Sequence, residues 1–221
     1  MHEKIAFSTL LWYNKKKLKL QQGENEMGIY LNPENVDFQE VLNSKIYIDK
    51  SELIQYTNSV LRTTQKYICV SRPRRFGKSM TANMLTAYYS RGCDSRGLFQ
   101  GLKIATHPDF EKYLNQYNVI HLNMRDYLTE SENMKELIQF VEDDLLDELQ
   151  QEFSDLRMPR RKTLVKVLEQ AFAQYKIPFV FIIDEWDCIF RVHKSDAASQ
   201  KDYLDFLRNL LKDKSYIALA Y

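Results

Sequence analysis

An apolar run, Tyr67-Ile68-Cys69-Val70, gives way to Ser71-Arg72-Pro73-Arg74-Arg75-Phe76 and then to Gly77-Lys78-Ser79-Met80 opening a helical pattern, an order that leaves the chain few folds to choose from. Arg72 cannot be helical, because a proline crowds the α conformation of the residue before it. A buried strand, a tight loop and a helix start together make an anion site. The first amides of a helix lack intrahelical partners and its N-terminus carries partial positive charge, so a polyphosphate can settle there. In such a loop Gly77 lets the backbone approach phosphates, Lys78 reaches the outer phosphates, and the Ser79 hydroxyl ligates magnesium.

The match to G-x-x-x-x-G-K-[ST] is incomplete, since Arg72 stands where the first glycine belongs, and Gly-Lys-Ser alone also fits a helix cap beside a surface lysine. A second run decides between these readings. Ile177-Pro178-Phe179-Val180-Phe181-Ile182-Ile183 is continuously apolar, too short to span a membrane, and ends in Asp184-Glu185-Trp186-Asp187. As a buried strand with carboxylates at its carboxyl end it would present Asp184 beside the phosphate loop, where open α/β sheets bind their ligands. Taken alone, Asp184 and Glu185 would be a solvated turn; coupled to Gly-Lys-Ser behind another buried strand, they point to a nucleotide site.

Arg72-Pro73-Arg74-Arg75-Phe76-Gly77-Lys78-Ser79, the upstream Tyr47-Ile48-Asp49-Lys50-Ser51-Glu52-Leu53-Ile54 and Asp184-Glu185-Trp186-Asp187 resemble the bacterial AAA-ATPase-like family over residues 28–221. Members of that family often carry a C-terminal nuclease-like domain of the PD-(D/E)XK type. Arginine in place of the first glycine is the family's normal form. The resemblance implies a P-loop fold and an ATP site more securely than a biological task.

A chain of 221 residues with 44% hydrophobic and 28% charged residues can bury one sizeable core, and a net charge of +1 makes no overall case for nucleic acid or anionic membrane as partner. Cys69, Cys93 and Cys188 lack metal-type spacing and read as small buried residues in a reducing cytoplasm. Residues 1–26 form an extension outside the domain: Ala6–Tyr13 is apolar, but its lysines follow rather than precede it, the reverse of a secretory signal. Translation is expected to start at Met27, which would leave residues 27–221 as one domain.

Ile46-Tyr47-Ile48 reads as a short strand, followed by Asp49 or Ser51 capping a helix over Leu53, Ile54, Val60 and Leu61. The segment is either a helix packed on the core or a cover for the base of the nucleotide. The helix opened by Gly77 places Met80, Met84, Leu85 and Tyr88 in the core and ends near Gly92. Val119–Met124 is a further strand, in which His121 reads as a hydrogen-bonded structural residue. Met134–Leu149 marks an amphipathic helix with a solvated acidic face, and a second helix is headed by Arg160-Arg161-Lys162, whose charges either pair with that face or meet a partner. Tyr216–Tyr221 is the last strand.

Four buried strands alternating with helices indicate a three-layer α/β sandwich with a mostly parallel sheet. The resemblance inserts the Tyr216 strand between Tyr67–Val70 and Phe179–Ile183 and implies a missing last strand, so that the domain is C-terminally incomplete. The expected activity is magnesium-dependent ATP hydrolysis: Lys78 and the amides from Phe76 to Met80 hold phosphate, Ser79 and Asp184 serve Mg2+, and Glu185 orients the attacking water. Arg72, Arg74 and Arg75 are a solvated surface, a clamp on the outer phosphate or a contact for nucleic-acid backbone. The alternative is a nucleotide-gated module with little turnover that controls a protein partner or a nuclease. A truncated domain would hydrolyse poorly and self-associate through an open sheet edge.

Overall fold

A computed structural model describes residues 28–71 and 76–221. The extension and the expected start at Met27 lie outside the described residues, and so do Arg72, Arg74 and Arg75. Three strands, β1 (Asn118–Asn123), β2 (Phe179–Asp184) and β3 (Ile217–Ala220), form a parallel sheet in the order β1-β2-β3. Parallel neighbours need crossover connections, and these are helical: α6 (Met124–Glu130), α7 (Met134–Glu152) and α8 (Leu164–Tyr175) lie between β1 and β2, and α9 (Cys188–Val192) and α10 (Ala197–Leu211) between β2 and β3. Before the sheet come α1 (Val36–Leu42), α2 (Glu52–Val60), α3 (Lys78–Tyr89), α4 (Arg96–Phe99) and α5 (Phe110–Tyr113).

The two-residue alternation of a strand sends Val119, Val180, Ile182 and Leu219 into a core shared with α2 and α3. Ile120, Leu122, Phe179 and Phe181 enter a second core with α7, α8 and α10 on the opposite face. Helices therefore cover both faces, which is why the strands are apolar on both sides. Leu137, Val141, Leu145 and Leu149 of α7 are fully buried, each contributing about 1.5–3 kcal/mol by leaving water. Among the described residues no helix is long and apolar enough to cross a membrane.

The expected order around β3 is observed, but Tyr67–Val70 is not a full strand. A single parallel bridge joins Tyr67 to Ala220, with the Ile68 amide donating to Ala220 O at 2.8 Å and the Ala220 amide to Lys66 O at 2.9 Å. Alternation leaves Tyr67 and Cys69 exposed while Ile68 and Val70 are half-buried; of the three cysteines only Cys188 is buried.

Ile46–Ile48, expected as a strand, pairs with no strand among the described residues and is irregular, with Ile46 82% and Ile48 69% exposed. Ser51 occupies the N-cap of α2 without capping it: its hydroxyl accepts from the Ile104 amide, while Asp49 accepts from the amides of Ser51 and Lys103. Met80 lies outside the core and is 38% exposed, unlike the buried Met84. Arg160, Arg161 and Lys162 precede α8 in an irregular connector, and none forms an ion pair among the described residues. Glu148, read from the sequence as solvated, accepts the amides of Ile29, Tyr30 and Leu31 at 2.7, 3.0 and 2.7 Å. That carboxylate straps residues 29–31 along the outer edge of β1, where Leu31 bridges Ile120 antiparallel.

Candidate functional site

Gly77 holds φ +74° and forms the N-cap of α3, a left-handed conformation that glycine adopts without a side-chain clash. Its carbonyl accepts the Thr81 amide at 3.1 Å and the Thr81 hydroxyl at 2.9 Å, closing the first turn. Among the described residues no side chain caps this helix start. Its leading amides are left for something outside the helix, in a field that favours an anion.

Lys78 shares a cleft with Asp184, Glu185 and Asp187, bounded by Trp186 and Tyr221. Because β2 lies alongside β3 and the bridged segment before the loop lies on the other side of β3, the carboxylates at the end of β2 come round to the lysine. Asp184 Oδ1 accepts the Glu185 amide at 2.9 Å. Glu185 turns the chain at φ +53°. Its carboxylate meets Arg191, which also donates to both oxygens of Asp187 at 3.1 Å. A guanidinium thus ties together two of the three carboxylates facing Lys78.

The loop has a second side. Ile46, Ile48, Lys50, Phe76, Gly77 and Met80 line a cavity of about 350 Å³ that adjoins the helix start. Lys50 Nζ donates to the Phe76 carbonyl at 2.8 Å. Buried hydrogen bonds from α2 to α3, Thr57 to Tyr89 at 2.7 Å and Asn58 to Tyr88 at 3.1 Å, hold this wall against the loop helix. Ser79 is exposed and lines neither space.

β1 adds groups near Asp184 through its register, which pairs Asn123 with Asp184 and His121 with Ile182. Burial lowers the His121 pKa, against the opposing pull of Asp184 and Asp37. Burial likewise raises that of Asp126, with Asp184 adding to the rise. Burial pushes the Cys188 thiol up to about 11, so it is not a nucleophile at neutral pH. Lys50, Asn123, Asp126 and Arg191 were not singled out for the site from the sequence. The i, i+4 spacing of Asp187 and Arg191 offered one signal, and the reading of the segment around Lys50 as a possible cover for the base offered another.

A family model described as "Predicted AAA-ATPase" matches residues 36–217. The chain belongs to this family. The matched span holds both sides of the loop and all three carboxylates, and family membership supports nucleotide binding in general. No curated protein and no solved structure matches the chain.

Magnesium, which an ATPase of this family would use, favours oxygen ligands and keeps several waters and phosphate oxygens of its own. Among the described residues there is no cluster of three or more His, Cys, Asp or Glu placed to hold a metal alone. A single carboxylate in the cleft suits only an ion carried mainly by phosphates, and the Ser79 hydroxyl does not line that cleft beside it. Asp184, with one oxygen engaged by a backbone amide, fits that part.

Proposed function

We propose that this chain is a P-loop ATPase domain that binds ATP with magnesium and hydrolyses it. The observation that carries the reading is the cleft in which Lys78, at an uncapped helix start, faces Asp184, Glu185 and Asp187 at the carboxyl end of a buried parallel strand. The three-layer P-loop sandwich is the fold this arrangement supports.

Lys78 and the amides from Gly77 to Met80 hold the outer phosphates, and the apolar cavity beside Phe76 and Met80 takes the base. Asp184 would hold magnesium carried in on the phosphates, which supplies charge neutralisation at the transferred phosphate; the exposed Ser79, outside the cleft, is not assigned to it. Glu185 orients the attacking water and takes up its proton. Arg72, Arg74 and Arg75 contribute positive charge to the same loop.

Isothermal titration with ATP and magnesium tests binding. Lys78→Ala removes a charge-assisted phosphate contact of about 2 kcal/mol and weakens ATP about 30-fold. Equal affinity in the two proteins would overturn the reading.

A second reading, a nucleotide-gated module with little turnover, is favoured by the ion pair that engages Glu185 with Arg191. Glu185→Gln separates the two: turnover collapses while ATP binding survives if Glu185 positions water, whereas equal, negligible rates in both proteins identify the switch.

A further inference from the structure

The loop turn is flanked by two lysines with unlike surroundings. Lys78 faces three carboxylates across its cleft. Lys50 faces an apolar cavity, and among the described residues its ammonium makes no ion pair. The neighbouring Asp49 is turned away, accepting from the amides of Ser51 and Lys103 at 2.8 Å each.

An ammonium has three donors, and one of those on Lys50 goes to the Phe76 carbonyl at 2.8 Å. Its position is tight against the turn: a Cβ added at Gly77 would lie 2.7 Å from Lys50 Nζ. An uncompensated cation beside the positive end of a helix is repelled by it, and long flexible lysines ordinarily swing away from such a place. Here the stem is held at its base. The Lys50 carbonyl accepts the Leu53 amide at 3.0 Å, and α2 is fixed to α3 by the buried bonds of Thr57 and Asn58.

The bond to Phe76 also orients the loop. A trans peptide is planar, so holding the Phe76 carbonyl toward Lys50 directs the Gly77 amide the opposite way, away from the ammonium. The same lysine can therefore set the turn and offer its two remaining donors to a ligand crossing from the cavity toward Lys78.

We propose that Lys50 is a second nucleotide-contacting cation, binding the phosphate next to the nucleoside while Lys78 serves the outer ones. This rests on the ATP reading of the cleft and adds a division of labour to it. A nucleoside diphosphate or triphosphate with its base in the Ile46, Ile48, Phe76 and Met80 cavity passes Lys50 before it reaches Lys78. Inorganic triphosphate, with no base to seat, is not drawn to that side.

Titration of the full chain with ADP, ATP and inorganic triphosphate, each with magnesium, tests the assignment in wild type, Lys50→Met, Lys50→Arg and Lys78→Ala. Lys50→Met should weaken ADP and ATP by the same factor of about ten while leaving inorganic triphosphate unchanged, as expected for one lost charge-assisted contact to a phosphate both nucleotides share. Lys50→Arg should recover most of the loss. Lys78→Ala should weaken ATP more than ADP and weaken inorganic triphosphate as well. Unchanged nucleotide affinity in Lys50→Met overturns the proposal, and so does a loss confined to ATP or an equal loss for inorganic triphosphate, which would make Lys50 only a strut for the loop. If Lys50→Met fails to fold, an ATP-to-ADP affinity ratio in Lys50→Arg that departs from the wild-type value overturns it, and an unchanged ratio with altered salt dependence supports it. Wild-type protein that binds none of the three ligands overturns the ATP reading itself, an outcome distinct from selective failure of the Lys50 variants.

Discussion

Replacing Gly77 with alanine perturbs the turn against which Lys50 packs. A left-handed conformation costs a residue with a Cβ about 1–2 kcal/mol, and Gly77 stands at φ +74°. The new methyl group would lie 2.7 Å from Lys50 Nζ, so the flexible end of the lysine must withdraw and release the Phe76 carbonyl. That bond is solvent-exposed, so its net loss is about 0.5–1 kcal/mol. Together these give about 1.5–3 kcal/mol, or a fall of about 3–12 °C in the unfolding midpoint for a domain of this size. Thermal unfolding followed by circular dichroism measures it. Gly97→Ala is the control, since a Cβ there meets nothing within 4 Å and φ is not left-handed; the midpoint should hold or rise slightly. In a double-mutant cycle, Lys50→Ala should recover the contact part of the cost, a coupling of about 0.5–1 kcal/mol. Equal midpoint shifts at Gly77 and Gly97 would refute the backbone reasoning, and a Gly77→Ala cost undiminished in the Lys50→Ala background would refute the contact.

Glu148→Gln removes the charge that holds three backbone amides of residues 29–31, and should cost about 2 kcal/mol in urea unfolding while speeding proteolysis near residue 30; an unchanged midpoint and cleavage rate would argue against the strap. His121 has a folded-state pKa depressed below 6.5 by burial, so the unfolded chain takes up its proton first and stability falls as pH drops from 6.5 through the folded value. His121→Asn should flatten that part of the stability–pH curve, and an equally steep fall in the variant would assign it to other groups. Arg191→Ala releases Glu185 and should raise ATP turnover severalfold with little change in ATP affinity; steady-state turnover that falls instead would show that the guanidinium assists the site rather than restrains it.

Much of the fold was legible because its signals are local. Phe179–Ile183 is apolar throughout, as a strand buried on both faces requires, and Gly77-Lys78-Ser79 announces a helix start. Those two features, with the family resemblance, were enough to bring Lys78 and Asp184 to one cleft. Segments whose state depends on a neighbour were not legible: Ile46–Ile48 has strand composition but pairs with no strand among the described residues, and Cys69 is apolar by type yet faces outward on a segment with one bridge. Glu148 looked like any residue of a solvated helix face until residues 29–31 were laid across it.

The sequence by itself determined the order of the elements, the chemistry of the loop and the carboxylates that end β2, because hydrophobic periodicity and turn geometry act over a few residues. Only the tertiary structure decided that Lys50 lies against Gly77, that Arg191 holds Glu185 and Asp187, and that Asn123 pairs in register with Asp184. Lys50 and Gly77 are far apart along the chain, and their approach follows from the buried hydrogen bonds that fix α2 on α3. Such contacts have no periodicity to announce them, since burial and register arise only when separate elements close on a common core.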